Sequence, residues 1–261
     1  MTKTRLNFVT VGDSHGEGDG APVVFLHGFG GDVTGWLNLQ VGLSASYRSL
    51  AFDLPGHGGS LEYPKTCNAA VAAMAVLEDL DTLGIEKAHL VGHSMGGATA
   101  SIMALRRPEK VASLCLFGPG GFGSEVNQPL LREYASATDE ESLYRVFQQF
   151  FGPEYRLPRA MARHAAQQRL NPLVRESLMK TAEAIFHGDQ QKILPLTELG
   201  ASPFPIRVIW GLQDQIVPVR QVMGLPAMMA VHVFPKAGHM VHLEASRDAL
   251  SLIRQTIRSA R

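Results

Sequence analysis

The sequence contains only two cysteines, Cys67 and Cys115, in 261 residues. Cys67 lies near a predicted helix start and Cys115 lies inside an apolar segment, so we expect free thiols in a reducing compartment. This pattern excludes a small secreted fold that depends on disulfides. No cluster of His, Cys, Asp or Glu has the spacing of a metal site, and we expect neither a metal nor a cofactor.

The chain also lacks net charge and long apolar runs. Its 24 Lys and Arg residues equal its 24 Asp and Glu residues, so no overall field attracts nucleic acid or an anionic membrane surface. No segment reaches the about 18 consecutive apolar residues of a membrane-spanning helix, and the N-terminus lacks the apolar core of a secretory signal. We therefore expect a cytoplasmic protein whose partner is a small-molecule substrate. Formation of a homodimer stays open.

What the sequence does contain is an alternation of short apolar segments with helical patterns. Six segments are rich in apolar and β-branched residues: 23–26, 49–52, 88–91, 112–117, 207–210 and 231–234. Helices are predicted over 68–83 and 95–106. Apolar strands that alternate with helices predict an α/β protein with a mostly parallel, doubly wound sheet and helices on both faces. Residues 6–11 alternate like an antiparallel edge strand, and residues 12–20 predict a turn.

The alternation of strands and helices stops between residues 119 and 202. This stretch shows helical patterns with apolar residues spaced among charged ones, and no strand pattern. We interpret it as a helical cap inserted into a core formed by residues 1–118 and 203–261. A lid over a pocket is the functional interpretation, because such insertions leave the carboxyl ends of parallel strands. Extra helices that only cover the core are the alternative.

A turn that exposes a serine follows the apolar segment 88–91. The sequence Gly92-His93-Ser94-Met95-Gly96 opens the helix predicted from residue 95, which is the strand, turn and helix context of a nucleophilic serine. The turn forces the serine into a strained conformation, and side chains two residues before and after it would collide with the backbone. A serine that only caps the helix is the structural alternative.

A nucleophilic serine needs a base and an acid that orients the base. Asp214 follows the segment 207–210 and His239 follows the last strand, in the chain order serine, acid, histidine. Three groups at the carboxyl ends of parallel strands converge in one crevice. The sequence therefore predicts Ser94 as nucleophile, His239 as general base and Asp214 as the orienting carboxylate.

Other residues compete for the two supporting roles. His242 is expected at the start of the last helix, and His232 lies on a predicted strand. Asp53 precedes the serine in the chain, and Asp248 lies within an amphipathic helix. These positions fit the roles less well than His239 and Asp214.

Backbone amides are predicted to stabilise the negative charge that develops on the substrate. The glycine-rich turn after the segment 23–26 and the residue after the serine suggest an oxyanion hole formed by the N–H groups of Phe29 and Met95. A turn that only reverses the chain is the alternative. The expected lining of the substrate pocket is His27, Gly28, His93, Phe150 and Met240.

Together these motifs resemble the α/β-hydrolase family over nearly the whole chain. The motifs are HGFG at 27–30, DLPGHG at 53–58, GHSMGG at 92–97, Asp214 and Gly238-His239. The stretches FLHGFGGD at 25–32 and AGHMVHLE at 237–244 are similar to the hydrolase-like C-terminal portion of acyltransferase subunits of acetoin dehydrogenase complexes. Haloalkane dehalogenases and epoxide hydrolases are excluded, because they carry Asp where this chain has Ser94.

These features predict a serine hydrolase. We expect it to act on an ester or thioester of a small, largely apolar acyl substrate through an acyl-enzyme, as a carboxylesterase does. Carbon–carbon bond hydrolysis, acyl transfer and perhydrolysis would use the same three residues and remain alternatives. A ligand-binding scaffold without catalysis is the alternative from another class.

Overall fold

The computed structural model describes residues 5–13, 20–186, 188 and 190–260. The strands are β1 (Phe8–Val11), β2 (Val23–Leu26), β3 (Ser49–Phe52), β4 (Ala88–His93), β5 (Val111–Phe117), β6 (Ile206–Gly211) and β7 (Ala230–Phe234). The α-helices are α1 (Leu37–Leu43), α2 (Ala69–Thr82), α3 (Met95–Arg106), α4 (Gln128–Ser136), α5 (Glu140–Gln148), α6 (Arg159–Gln168), α7 (Pro172–Ile185), α8 (Leu196–Gly200), α9 (Val241–Glu244) and α10 (Ser246–Arg258). None of the helices in these ranges has the length and apolar character needed to cross a bilayer.

The seven strands form one sheet in the order β1-β3-β2-β4-β5-β6-β7. Strand β1 is antiparallel to β3, and the other neighbouring pairs are parallel, which confirms the predicted mostly parallel sheet. From β2 the chain first adds β3 on one side and then β4 on the other. The carboxyl ends of β2 and β4 therefore lie where the direction of winding reverses, the position at which ligands bind in such sheets.

Burial on both faces explains why the central strands are apolar without alternation. Every residue of β2, β3, β4 and β5 is buried. One face packs against α2 and α3, and the other packs against α1 and α10. The predicted helix 68–83 is confirmed as α2, whose cap Asn68 accepts hydrogen bonds from two backbone amides, and the helix 95–106 is confirmed as α3. The two cysteines are buried and free.

The antiparallel edge strand is confirmed but is shorter than the predicted 6–11. The backbone N–H of Leu6 donates to Asp79 Oδ2 at 2.8 Å, and that of Asn7 donates to Ser60 Oγ at 2.8 Å. Because these two N–H groups donate to side-chain oxygens, the backbone pairing with β3 begins only at Phe8. Of the turn predicted over 12–20, residues 14–19 lie outside the described residues.

Five helices, α4 to α8, lie between β5 and β6. Hydrogen bonds join this segment to loops that follow strands β2, β3 and β7, among them the following three. Tyr134 Oη donates to the Gly30 carbonyl at 3.0 Å, and Ser177 Oγ donates to the Gly56 carbonyl at 2.7 Å. The His239 N–H donates to the Phe150 carbonyl at 2.7 Å. Helices α4 to α8 thus lie beside the carboxyl ends of the strands.

Candidate active site

Ser94 stands on a sharp turn between β4 and α3. Its backbone has φ +53° and ψ −116°, and among the described residues it is the only non-glycine with positive φ. Such a conformation costs about 1–3 kcal/mol and persists only where the surroundings enforce it. Here the Ser94 N–H donates to the Phe117 carbonyl at 3.0 Å, and the Ser94 carbonyl accepts from the Gly120 N–H at 3.0 Å. The end of β5 therefore fixes the turn, and Ser94 remains partly exposed.

The two glycines around Ser94 are required by close backbone contacts. A Cβ on Gly92 would collide with the carbonyl of Gly96, and a Cβ on Gly96 would collide with the carbonyl of Leu26. The steric reason predicted for glycine at both positions is therefore confirmed. The absence of a side chain at Gly96 allows α3 to approach the end of β2 closely.

His239 and Asp214 form a buried pair. His239 Nδ1 lies 2.8 Å from Asp214 Oδ2, and their side chains are 3% and 0% exposed. The other carboxylate oxygen, Oδ1, accepts from the backbone N–H groups of Ile216 at 2.8 Å and Val217 at 3.0 Å. With its Nδ1–H donated to Asp214, a neutral His239 keeps Nε2 free to accept a proton.

The competing carboxylates lie elsewhere. Asp53 accepts from the N–H of Val33 at 2.8 Å, the N–H of Gly59 at 2.7 Å and Asn7 Nδ2 at 2.7 Å, so it organises the loop after β3. Asp248 is exposed on α10. Of the three candidate acids, the structure brings only Asp214 to His239.

The competing histidines are also accounted for. His232 lies on β7 beside Arg207. His242 is buried in α9, with its ring 4.7 Å from Trp36 and 4.5 Å from His93. In the described part of the chain, no group of three or more His, Cys, Asp or Glu side chains is arranged to hold a metal.

The loop after β2 lies close to Ser94, since Phe29 and Ser94 line the same two cavities. Neither the N–H of Phe29 nor that of Met95, the first residue of α3, donates to an acceptor within the described residues. The next residue, Gly30, is fixed on both sides, because its N–H donates to His57 Nε2 at 3.1 Å and its carbonyl accepts from Tyr134 Oη. The two amides are therefore unpaired donors, one on a loop held by these contacts and one in the first turn of α3, and unpaired N–H groups can stabilise a developing negative charge.

Several buried histidines are structural and uncharged at neutral pH. His27 Nε2 accepts from the Leu54 N–H at 2.9 Å, which makes Nδ1 the donor to the Gly28 carbonyl. Burial lowers the pKa of His27 to about 4 and the pKa of His57 to about 3. His27 and His57 therefore act as neutral hydrogen-bonding groups that position the loops after β2 and β3.

Two cavities meet at Ser94. The first, here called the Met95 cavity, has a volume of about 270 Å³ and is mostly apolar. The second, here called the His239 cavity, has a volume of about 220 Å³. Ser94 and Phe29 line both cavities, Met95 lines only the first, and His239 lines only the second. The pocket residues predicted from the sequence all line the His239 cavity: His27, Gly28, His93, Phe150 and Met240.

Glu244 is a site residue that the sequence reasoning missed. Its Oε1 accepts from the N–H of Gly238, next to His239, at 2.9 Å, and its Oε2 accepts from the N–H of Gly152 at 2.7 Å. One half-buried carboxylate thus joins the His239 loop to the segment between α5 and α6. The position five residues after His239 was the available signal, but the partner Gly152 is distant in the sequence.

We expect Glu244→Gln to lower both stability and turnover. Glutamine offers one acceptor oxygen in place of two, so one backbone N–H loses its partner, at a cost of about 1–3 kcal/mol. Because His239 adjoins Gly238, its loop should also shift, and kcat should fall more than KM changes. Urea unfolding and steady-state kinetics measure the two effects.

Glu154→Gln is the matched control for this prediction. Glu154 pairs with Lys236 at 2.8 Å in the same region, but both side chains are exposed. This variant should leave both quantities near the wild-type values. Loss of stability in Glu244→Gln with unchanged kcat would refute a positioning role for Glu244.

Comparisons with known proteins agree with this architecture. A family model described as alpha/beta hydrolase fold matches residues 21–246. The chain is 24% identical to a meta-cleavage product hydrolase from Pseudomonas fluorescens IP01, with a TM-score of 0.84 over 98% of this chain and 95% of that one. At this identity the structural match concerns the fold alone.

Two curated relatives are more similar in sequence. A dihydrolipoyllysine-residue acetyltransferase component of the acetoin cleaving system of Cupriavidus necator is 36% identical over 242 residues, which are 92% of this chain and 64% of that protein. The chain thus spans less than two thirds of that relative's length. A 2-hydroxy-6-oxo-6-phenylhexa-2,4-dienoate hydrolase from Comamonas testosteroni is 31% identical over 266 residues, covering 91% of this chain and 89% of that enzyme.

Proposed function

The chain belongs to the alpha/beta hydrolase fold family, and we propose that within it the protein is a serine hydrolase that cleaves esters or thioesters of small, largely apolar acyl groups. One observation carries this proposal: Ser94, on a strained turn, shares a cavity with His239, whose Nδ1 is bonded to the buried Asp214. The arrangement supplies nucleophile, base and orienting acid together.

The proposed reaction has two halves. Ser94 Oγ attacks the substrate carbonyl while His239 Nε2 takes its proton, and Asp214 stabilises the resulting imidazolium. The N–H groups of Phe29 and Met95 stabilise the oxyanion of the tetrahedral intermediate. His239 then gives the proton to the leaving group, and water repeats the sequence on the acyl-enzyme.

We assign the acyl group to the Met95 cavity. His239 must reach the leaving group to protonate it, and His239 lines only the other cavity. The Met95 cavity is lined by aliphatic and aromatic side chains such as Ile102, Val126 and Phe186, with few polar groups. Such a lining favours short and medium apolar acyl chains.

We also propose that residues 119–202 are a cap on a core of residues 1–118 and 203–261. Side chains of the inserted helices, among them Leu131, Tyr134 and Phe147, line the His239 cavity together with core residues. Closure of a cavity by an insertion excludes water from the acyl-enzyme until the leaving group has departed.

Carbon–carbon bond hydrolysis is the second candidate. The 31% identical relative is named for a substrate with a ketone and a carboxylate, and Ser94 could attack such a ketone. Cleavage beside that ketone would release a carboxylate-bearing fragment on the His239 side. The described residues that line the His239 cavity include no Lys or Arg to bind it, which favours the ester substrate.

The test compares the two substrate classes on one protein. We expect p-nitrophenyl esters, in a series from acetyl to long acyl chains, to be hydrolysed with a maximum at short or medium length. A 2-hydroxy-6-oxo-6-phenylhexa-2,4-dienoate, followed by loss of its absorbance, should react with a lower kcat/KM. Faster cleavage of the dienoate would reverse the order of the two candidates. Failure to turn over either class would refute both.

A further inference from the structure

The His239 cavity carries a charge that the general mechanism does not use. Among its described lining residues, Asp32 is the single carboxylate, and none is Lys or Arg. Burial lowers the pKa of His27 to about 4 and that of His242 to about 3, and the pKa of His93 is also well below its ordinary value. These three rings are therefore uncharged at pH 7. The described lining also includes His164 and His239, and Asp32 supplies its one carboxylate.

The Asp32 carboxylate is held ionised at a fixed place. Its Oδ1 accepts from the Thr34 N–H at 2.8 Å, and its Oδ2 accepts from Gln168 Nε2 on α6 at 3.0 Å. Burial opposes ionisation, but the hydrogen bonds from Thr34 and Gln168 outweigh it and lower the pKa of Asp32. One donor on Oδ2 leaves that oxygen able to accept another hydrogen bond.

The position of Asp32 matters because of where the leaving group must lie. This step rests on the proposed function: His239 protonates the leaving group, and His239 lines the cavity that contains Asp32. The acyl side has a different character, since the Met95 cavity includes no carboxylate among its described lining residues and one Lys, Lys192. Lys192 is exposed to solvent, so the acyl end of a substrate meets a mostly apolar lining while the leaving group meets the Asp32 carboxylate.

We propose that Asp32 is a specificity residue that makes the protein prefer leaving groups with an ammonium group over neutral ones of the same shape, and neutral ones over carboxylates. A carboxylate within a few ångströms of a bound cation attracts it strongly in a partly buried site, and it repels an anion by the same rule. The preferred substrates are esters of small amino alcohols.

Three butyrate esters test this proposal, with alcohols that end in a trimethylammonium, a tert-butyl or a carboxylate group: choline, 3,3-dimethylbutanol and 3-hydroxypropionate. The choline and 3,3-dimethylbutyl esters have nearly the same shape and differ in charge. We expect the wild-type kcat/KM, measured by acid release, to be about tenfold higher for the choline ester than for the tert-butyl ester. The carboxylate ester should be the poorest substrate.

Asp32→Asn should bring the ratio of choline to tert-butyl ester close to one. We use this ratio of kcat/KM values because a general loss of activity lowers both values by the same factor and leaves the ratio unchanged. Gln168→Lys is the second variant, since it places a cation beside Asp32 without changing the Thr34 contacts, and it should lower the ratio as well. A high salt concentration should reduce the wild-type preference.

The outcomes separate the two proposals. Serine-dependent turnover of all three esters with equal kcat/KM, or a ratio that Asp32→Asn does not change, overturns the role of Asp32 and leaves the serine hydrolase standing. Absence of turnover that depends on Ser94 with every ester overturns the proposed function, and the leaving-group preference with it.

Discussion

Ser94→Ala is expected to lower kcat on the preferred ester by a factor on the order of 10⁴ to 10⁶. Without Oγ no acyl-enzyme forms, and only the oxyanion donors and substrate binding remain to assist direct attack by water. KM should change little, because the cavities that hold the substrate are retained. Burst kinetics with a p-nitrophenyl ester, which report the acyl-enzyme, should lose the burst completely.

Covalent labelling checks the same residue without turnover. An active-site phosphonate should label the wild-type chain at Ser94, and Ser94→Ala should remain unlabelled. Ser251→Ala is the matched control, because Ser251 is an exposed serine on α10 and should leave both labelling and kcat unchanged. Persistent labelling or turnover in a folded Ser94→Ala variant would remove Ser94 from the nucleophile role.

The positions of Ser94, Asp214 and His239 could be predicted because each depends on features of the nearby sequence. The turn at Ser94 depends on Gly92 and Gly96 within a few residues, and its strand is apolar because both faces are buried. His239 and Asp214 follow strands that the same pattern identifies, and parallel strands bring their carboxyl ends to one edge. Short-range sterics and strand burial therefore sufficed to predict where these three residues lie in the fold.

The supporting contacts were not predictable because they join distant parts of the chain. Tyr134 bonds to Gly30 across 104 residues, and Glu244 bonds to Gly152 across 92. Both contacts depend on how the segment between β5 and β6 packs on the rest of the chain, and amphipathic patterns leave that packing open. The division of the pocket into two cavities has the same origin, so the sequence predicted lining residues of the His239 cavity but neither the second cavity nor Asp32.

A second large effect is expected on stability in mild acid. Four buried histidines have lowered pKa values in the folded protein: His27 at about 4, His57 and His242 at about 3, and His93 well below the ordinary value. In the unfolded chain each should titrate near pH 6.5. Below that pH the unfolded state binds protons that the folded state does not, so stability present above pH 6.5 is lost as the pH falls.

The expected loss is large enough to unfold an ordinary domain. Each histidine with a folded pKa near 3 or 4 lowers the free energy of unfolding by about 2 kcal/mol between pH 8 and pH 5. His27, His57 and His242 together therefore account for about 6 kcal/mol, against a typical total of about 5–15 kcal/mol. Glu244 opposes part of this loss, because burial raises its pKa and lets the folded state take up a proton first. Urea unfolding at pH 8, 7, 6 and 5 measures the decline.

Two histidine variants test whether the burial of histidines causes the loss of stability in mild acid. His242 Nδ1 has no hydrogen-bond partner among the described residues, so His242→Leu removes a titrating group without breaking a bond at that atom. The fall in unfolding free energy between pH 8 and pH 5 should shrink by about 2 kcal/mol, whatever the variant costs at pH 8. His164→Leu is the control, because His164 is exposed to water in the folded protein and its replacement should leave the fall unchanged. Equal stability of the wild-type protein at pH 7 and pH 5 would contradict the argument, since four neutral histidines held out of water must resist protonation until the chain unfolds.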